Sequence, residues 1–184
     1  MSKNIKTLRQ YASMRKHFPS VMLLGNIEKS LQDDLLKLSK TTPVSNNRSI
    51  DLRSGVYGVE YDKTSPAGKT YNQKHIDEFI IGIEVLNTFT NKTEWRFAEL
   101  DGYSDIPMHL DDPNSYRFLA VLEGSHEFET EIETVTMLPG DVYFINGAYR
   151  HAVHNINPER RIALLGKMEI NEHNTEILRA RARE

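Results

Sequence analysis

Two short stretches of the chain gather side chains that bind divalent cations. The first is Pro107-Met108-His109-Leu110-Asp111-Asp112-Pro113, where an imidazole and a carboxylate stand two residues apart. In extended chain, side chains at i and i+2 share a face, so His109 and Asp111 would project together from a strand end before a proline-bearing loop. Asp112 is a competing carboxylate that breaks this spacing. The second stretch runs from Pro139 to Asn155. A Pro-Gly-Asp turn enters a strand of β-branched and aromatic residues, a Gly-containing loop follows, and His151 begins the next segment. His109 and His151 are 42 residues apart, a separation at which two strands of a jelly roll can lie side by side. Two imidazoles and one carboxylate converging on one face form the facial triad of non-haem Fe(II) chemistry, with open positions opposite the protein ligands. The dication stays partly uncompensated there, so a bidentate anion can bind and still leave a position for O2.

Cations elsewhere matter to that anion. Arg161 lies ten residues after His151, on the next expected strand, and Arg117 lies eight after His109. Arg117 falls in an apolar strand, on the face of Leu119 and Val121, which suggests a buried anion; arginine's planar fork meets a carboxylate with two parallel bonds. Arg160 and Arg161 point to opposite faces of a strand, and periodicity does not choose between them. Of the other histidines, His17, His75, His126 and His173 read as structurally ordinary, with His126 exposed after a Glu-Gly-Ser turn; His154 competes with His151.

The elements that would position these residues come in two textures. In the first half, residues 1–20 suggest a helix or an ordered arm. Asn26 could cap a helix to about Lys40, with Ile27, Leu31, Leu35 and Leu38 on one face. Residues 41–48 read as a loop, 55–61 as a strand, 64–69 as a loop, and Asn72–Thr88 as a helix with an apolar stripe of Ile76, Phe79, Ile80, Ile83 and Leu86. After residue 92, β-rich segments alternate with turn signals: Glu94–Leu100, Tyr116–Leu122, Glu127–Thr136, Asp141–Ile145 and Arg160–Met168. Short strands at this spacing mean an all-β sandwich, barrel or jelly roll. A charged, exposed helix is expected over Asn174–Arg183.

Length and composition set outer bounds. A chain of 184 residues suffices for one domain with a substantial core. The absence of cysteine excludes disulfides, thiolate metal sites and a cysteine nucleophile, so any metal sits on nitrogen and oxygen. A formal net charge of -3 argues against a general nucleic-acid binder. With no run of about 18 apolar residues and a polar, basic start, no membrane span or signal peptide is expected, and the expected location is cytoplasmic. The expected layout is a single domain over 1–184: a helical or mixed part (1–92) packing on a β-core (93–170), then a tail helix (171–184).

The phrase Gly140, then His151 eleven residues later, then Asn155 four beyond, resembles the second signature of the cupin superfamily. That likeness implies a double-stranded β-helix, with flanking N-terminal helices here. The stretch from Trp95 to Met168 more specifically resembles the aspartyl/asparaginyl and prolyl β-hydroxylase group of 2-oxoglutarate- and Fe(II)-dependent oxygenases. In that group a first His with Asp is followed about nine residues later by a strand arginine, then by the distal His, then about ten residues on by the arginine that holds the 2-oxoglutarate tail. Those roles fall on His109, Asp111, Arg117, His151 and Arg161; the first spacing here is eight. The family spacing selects His151 over His154 and Arg161 over Arg160. The resemblance implies a dioxygenase using Fe(II), 2-oxoglutarate and O2 to hydroxylate an unactivated C–H, in a small-molecule or peptide substrate such as an amino acid or its side chain. Trp95, Arg96, Tyr103 and Tyr116 are candidates to face that substrate, or else packing residues. Two other readings compete: a cupin-type metalloenzyme that makes no use of Arg161, and a non-catalytic ligand-binding β-helix module that needs none of the metal ligands.

Overall fold

The computed structural model describes residues 18–41, 69–70, 79–111 and 115–184. Among the described residues, ten strands form two antiparallel sheets. The larger has the order β1 (Val21–Asn26), β8 (Asp141–Ile145), β5 (Ser115–Glu123), β10 (Arg161–Glu169), β3 (Lys92–Leu100), β2 (Lys69–Thr70). The smaller has the order β4 (Ser104–His109), β9 (His151–Asn155), β6 (His126–Thr130), β7 (Thr134–Met137). This is a double-stranded β-helix, as expected. Helix α1 (Lys29–Thr41), a 3-10 turn (Glu84–Leu86) and helix α2 (Glu172–Arg181) accompany it.

Burial explains the sequence texture. The larger sheet is covered on both faces, so β5, β8 and β10 read as nearly unbroken apolar runs. One face, with Phe97, Phe118, Phe144 and Leu164, packs under Leu35, Ile80, Ile83, Leu86 and Leu178. The other, with Leu119, Val121, Tyr143 and Ala163, meets Phe128, Met137 and Val153 of the smaller sheet. The smaller sheet buries only one face, and β6 alternates: His126, Phe128 and Thr130 are buried, while Glu127 and Glu129 lie between them on the other face. Tight contacts hold the stack. Trp95 lies over Gly166, where an added Cβ would fall 2.1 Å from the indole.

Several expectations change. Asn26 is not a helix cap: it ends β1, and its side chain donates to Asp141 Oδ1 at 2.6 Å. The helix expected over Asn72–Thr88 does not run through its described part; it stops near Gly82, and a 3-10 turn follows. The single segment Glu127–Thr136 is a hairpin, because Thr130 Oγ1 accepts from Glu133 N and turns the chain. The tail helix is capped by Asn171 and is not fully exposed: Asn174 and Leu178 are buried. The segments expected over 1–17, 42–68 and 71–78 lie outside the described residues. No helix among the described residues is long and apolar enough to cross a membrane.

Candidate metal centre

β4 and β9 pair antiparallel, with Ile106 opposite Val153. Continued regularly, this register would set Met108 opposite His151. An irregularity between Ile106 and His109 inserts one residue, and His109 becomes the partner of His151. Pro107 sits in this irregular stretch of an edge strand, where its missing N–H costs no ladder bond. The two imidazoles come together with ring centroids 4.3 Å apart. Asp111, two residues past the end of β4, brings Oδ2 to 3.7 Å from His151 Nε2. One donor atom from each of His109, Asp111 and His151 lies within 4.8 Å of the others.

The donors are oriented for a cation. His109 Nδ1–H donates to the Pro107 carbonyl at 2.8 Å, and His151 Nδ1–H donates to the Tyr149 carbonyl at 3.3 Å. A carbonyl only accepts, so the neutral form of each ring carries its proton on Nδ1 and turns the Nε2 lone pair to the site. Phe128 stacks on the His151 ring at 4.9 Å and fixes its plane. Burial pushes the His151 pKa down to about 4 against the opposing pull of Asp111, so the ring is neutral at pH 7. Burial alone would raise the Asp111 pKa, but the neighbouring positive charges, Arg117 foremost, hold it well below the usual carboxylate range. Nitrogen and oxygen donors with this disposition fit a divalent first-row metal such as Fe(II).

Arg117 faces the space between the sheets with Leu119 and Val121. Its Nε lies 3.5 Å from Asp111 Oδ2 and is buried without a hydrogen-bond partner. Arg161 faces the same interior from β10 and is 2% exposed. Its polar contacts are with His126: Nη2 lies 3.1 Å from Nε2, and Nε lies 3.4 Å from Nδ1. No carboxylate among the described residues pairs with it. Burial lowers its pKa to about 10, which still leaves it cationic at pH 7. Arg160 points the other way, half-exposed and paired with Glu123 at 3.5 Å. The residue that faces the interior is therefore Arg161.

Other residues separate from the site. His154 projects from the opposite face of β9, between Asp105 (2.8 Å) and Glu129 (2.9 Å), and is not a ligand alternative to His151. Asn155 is structural: its side chain donates to the carbonyls of Leu100, Asp101 and Glu159. Trp95 stacks on Phe118, Tyr116 bonds Thr175 from the outer core, and Tyr103 is exposed on a turn. Of the four substrate-facing candidates, Arg96 is the one whose charge reaches Asp111. His126, expected to be exposed, is 1% exposed. The signal that places it inside is its parity with Phe128 on β6. Asp112 lies outside the described residues.

No family model matches the chain, and no curated protein matches it. Solved structures do. An oxidoreductase of the 2OG-Fe(II) oxygenase family from Burkholderia pseudomallei is 13% identical, with a TM-score of 0.57 over 89% of this chain and 90% of that one. A viral collagen prolyl hydroxylase from Paramecium bursaria Chlorella virus-1, solved as a 2OG complex, is 12% identical, with a TM-score of 0.54 over 81% of this chain and 95% of that one. At these identities the likeness is one of fold.

Proposed function

We propose that the chain is an Fe(II)- and 2-oxoglutarate-dependent dioxygenase that hydroxylates an unactivated C–H, in an amino acid or an amino-acid side chain. The observation that carries the reading is the pairing, inside one β-helix, of a His-Asp-His cluster with a buried arginine that has no carboxylate partner among the described residues. His109, Asp111 and His151 would hold the metal through Nε2, a carboxylate oxygen and Nε2. Arg161 would hold the far carboxylate of the co-substrate. By the β6–β9 register, His126 beside Arg161 stands four residues along β6 from Thr130, the partner of His151. That is about 13 Å along a strand, a gap that a five-carbon dicarboxylate chelated at one end helps to fill. The chemistry the metal and co-substrate supply when bound is activation of O2 and removal of hydrogen from carbon, with succinate and CO2 as by-products.

The protein's own part is placement and charge. The backbone carbonyls of Pro107 and Tyr149 fix the tautomers, and Phe128 fixes one ring plane. Arg117 keeps Asp111 ionised and, with Arg96, adds positive charge around the open positions, where anionic groups of co-substrate or substrate would bind. A cupin-type metalloenzyme would share the three ligands but have no use for a buried Arg161 facing the interior, and a non-catalytic module would need neither. Supporting the choice of substrate is the family resemblance of Trp95–Met168.

The experiment is succinate formation from 2-oxoglutarate, followed by NMR with Fe(II), ascorbate and air. Wild type should form succinate slowly even without the true substrate, and His109→Ala, Asp111→Ala and His151→Ala should each reduce it to background. Metal-dependent succinate formation that survives all three substitutions would refute the assignment.

A further inference from the structure

Among the buried titratable groups that the proposed function leaves unused is His126. It sits inside the β-helix against Arg161, and both are almost wholly removed from solvent. A guanidinium carries five N–H donors and no acceptor, and an imidazole that is not protonated offers one lone pair. His126 therefore satisfies at most one of the donors on the Nε–Nη2 side of Arg161, and no described residue bonds Nη1. A buried cation ordinarily has a carboxylate partner, because an unpaired buried charge is costly. Here the position beside the cation holds a histidine instead. Burial and the Arg161 charge push the His126 pKa down to about 2, so the ring adds no charge of either sign at pH 7.

We infer that His126 is the positioning residue of an anion pocket: it packs along the Nε–Nη2 side of Arg161 without neutralising it, and so presents the remaining side, at full charge, to a ligand carboxylate in the barrel interior. This rests on reading Arg161 as the co-substrate anchor. The β-strand alternation supplies the geometry. His126, Phe128 and Thr130 share the inner face of β6, with Phe128 against His151, so one strand lines the path from the metal ligands to the arginine. A carboxylate side chain at 126 would pair with Arg161 from within and close the pocket to ligands. An uncharged amide would hold the guanidinium as the imidazole does.

The test measures equilibrium affinity in the Mn(II)-loaded protein, without oxygen chemistry, for two probes: 2-oxoglutarate, and 2-oxobutyrate, which lacks the far carboxylate. His126→Glu should weaken 2-oxoglutarate by about 100-fold, the scale of losing a buried charged contact, and leave 2-oxobutyrate and Mn(II) affinity unchanged. Its ligand-free melting temperature should not fall, because Arg161 gains an internal partner. His126→Gln should stay within about threefold of wild type for both probes, a difference below 1 kcal/mol. If His126→Glu weakens both probes alike, or neither, the positioning role is wrong. Should His126→Glu fail to fold, the wild-type protein decides: the His126 ring 15N resonances should shift with 2-oxoglutarate and not with 2-oxobutyrate, and identical responses overturn the inference. Arg161→Ala separates the two levels. If it leaves 2-oxoglutarate affinity intact, the co-substrate reading itself fails. If it abolishes that affinity while His126→Glu does not, only the role of His126 fails.

Discussion

Asp111 is the residue on which charge, burial and metal binding meet. Its carboxylate faces Arg117 at 3.5 Å, and its pKa is held below the ordinary range. A depressed folded-state pKa stabilises the fold above the unfolded value of about 3.9 and loses that stabilisation as pH falls through the folded value. In metal-free protein, Asp111→Asn should therefore cost about 1–3 kcal/mol at pH 7, less than a broken pair that is fully buried, because the side chain keeps some solvent contact. The gap to wild type should begin to narrow below about pH 4. Urea midpoints across pH 3–7 measure it, and a gap that does not change with pH would remove Arg117 as the cause. The His-x-Asp pair was legible in the sequence because i and i+2 share a face in extended chain. Periodicity did not choose Arg161 over Arg160, and the family spacing made that choice: adjacent arginines on a strand differ only in parity, and parity is set by the register with β3 and β5. His126 was misread for the same reason: a turn before it suggested exposure, while the strand after it turns the ring inward.

At the scale of elements, strand bounds were clearest where turn chemistry and burial agree. Pro139-Gly140 carries a positive φ at Gly140, and Asp141–Ile145 follows as read. β1 escaped because Val21–Asn26 pairs only along one edge, with β8, and its apolar residues fit helix or strand equally. β4 was read only as the strand end that carries His109: its alternation over Ser104–Met108 is short, and Asp105 and Pro107 on its outer face gave no strand signal. The helix expected through Thr88 stops because Gly82 intervenes, and glycine weakens helix interiors by about 1 kcal/mol. The packing of β10 makes its own prediction. Gly166→Ala places a methyl group inside the Trp95 ring, and overpacking of this kind costs about 1–3 kcal/mol or more. Thermal denaturation should show that loss, with Mn(II) affinity of the folded protein unchanged; no loss would mean that the indole is free to move. On the outer face, His154 bridges β4 and β6. Desolvation would lower its pKa, but the hydrogen bonds to Asp105 and Glu129 outweigh it and the net shift is upward. Its contribution is thus present below about pH 6.5 and fades as pH rises through the raised value. An NMR titration of His154 checks the direction, and Asp105→Asn should lower the midpoint.

Across the whole molecule, the sheet that is buried on both faces gives rigidity, and the sheet that is buried on one face carries the ligands at its edge. A buried Arg161 with no carboxylate partner among the described residues opposes folding in exchange for binding. Arg161→Met should therefore make the ligand-free protein more stable, by about 1–3 kcal/mol, while abolishing the stabilisation that 2-oxoglutarate gives wild type. Denaturant unfolding with and without the ligand reads both effects. A less stable Arg161→Met protein would show that the fold already compensates this charge.

The most direct measurement is anaerobic addition of Fe(II) and then 2-oxoglutarate, watching for the weak visible charge-transfer band of the chelate. The band should appear in wild type, vanish in His151→Ala, and require far more 2-oxoglutarate in Arg161→Ala. A band that is unchanged in Arg161→Ala, or Fe(II) that binds without ever giving the band, would contradict the account.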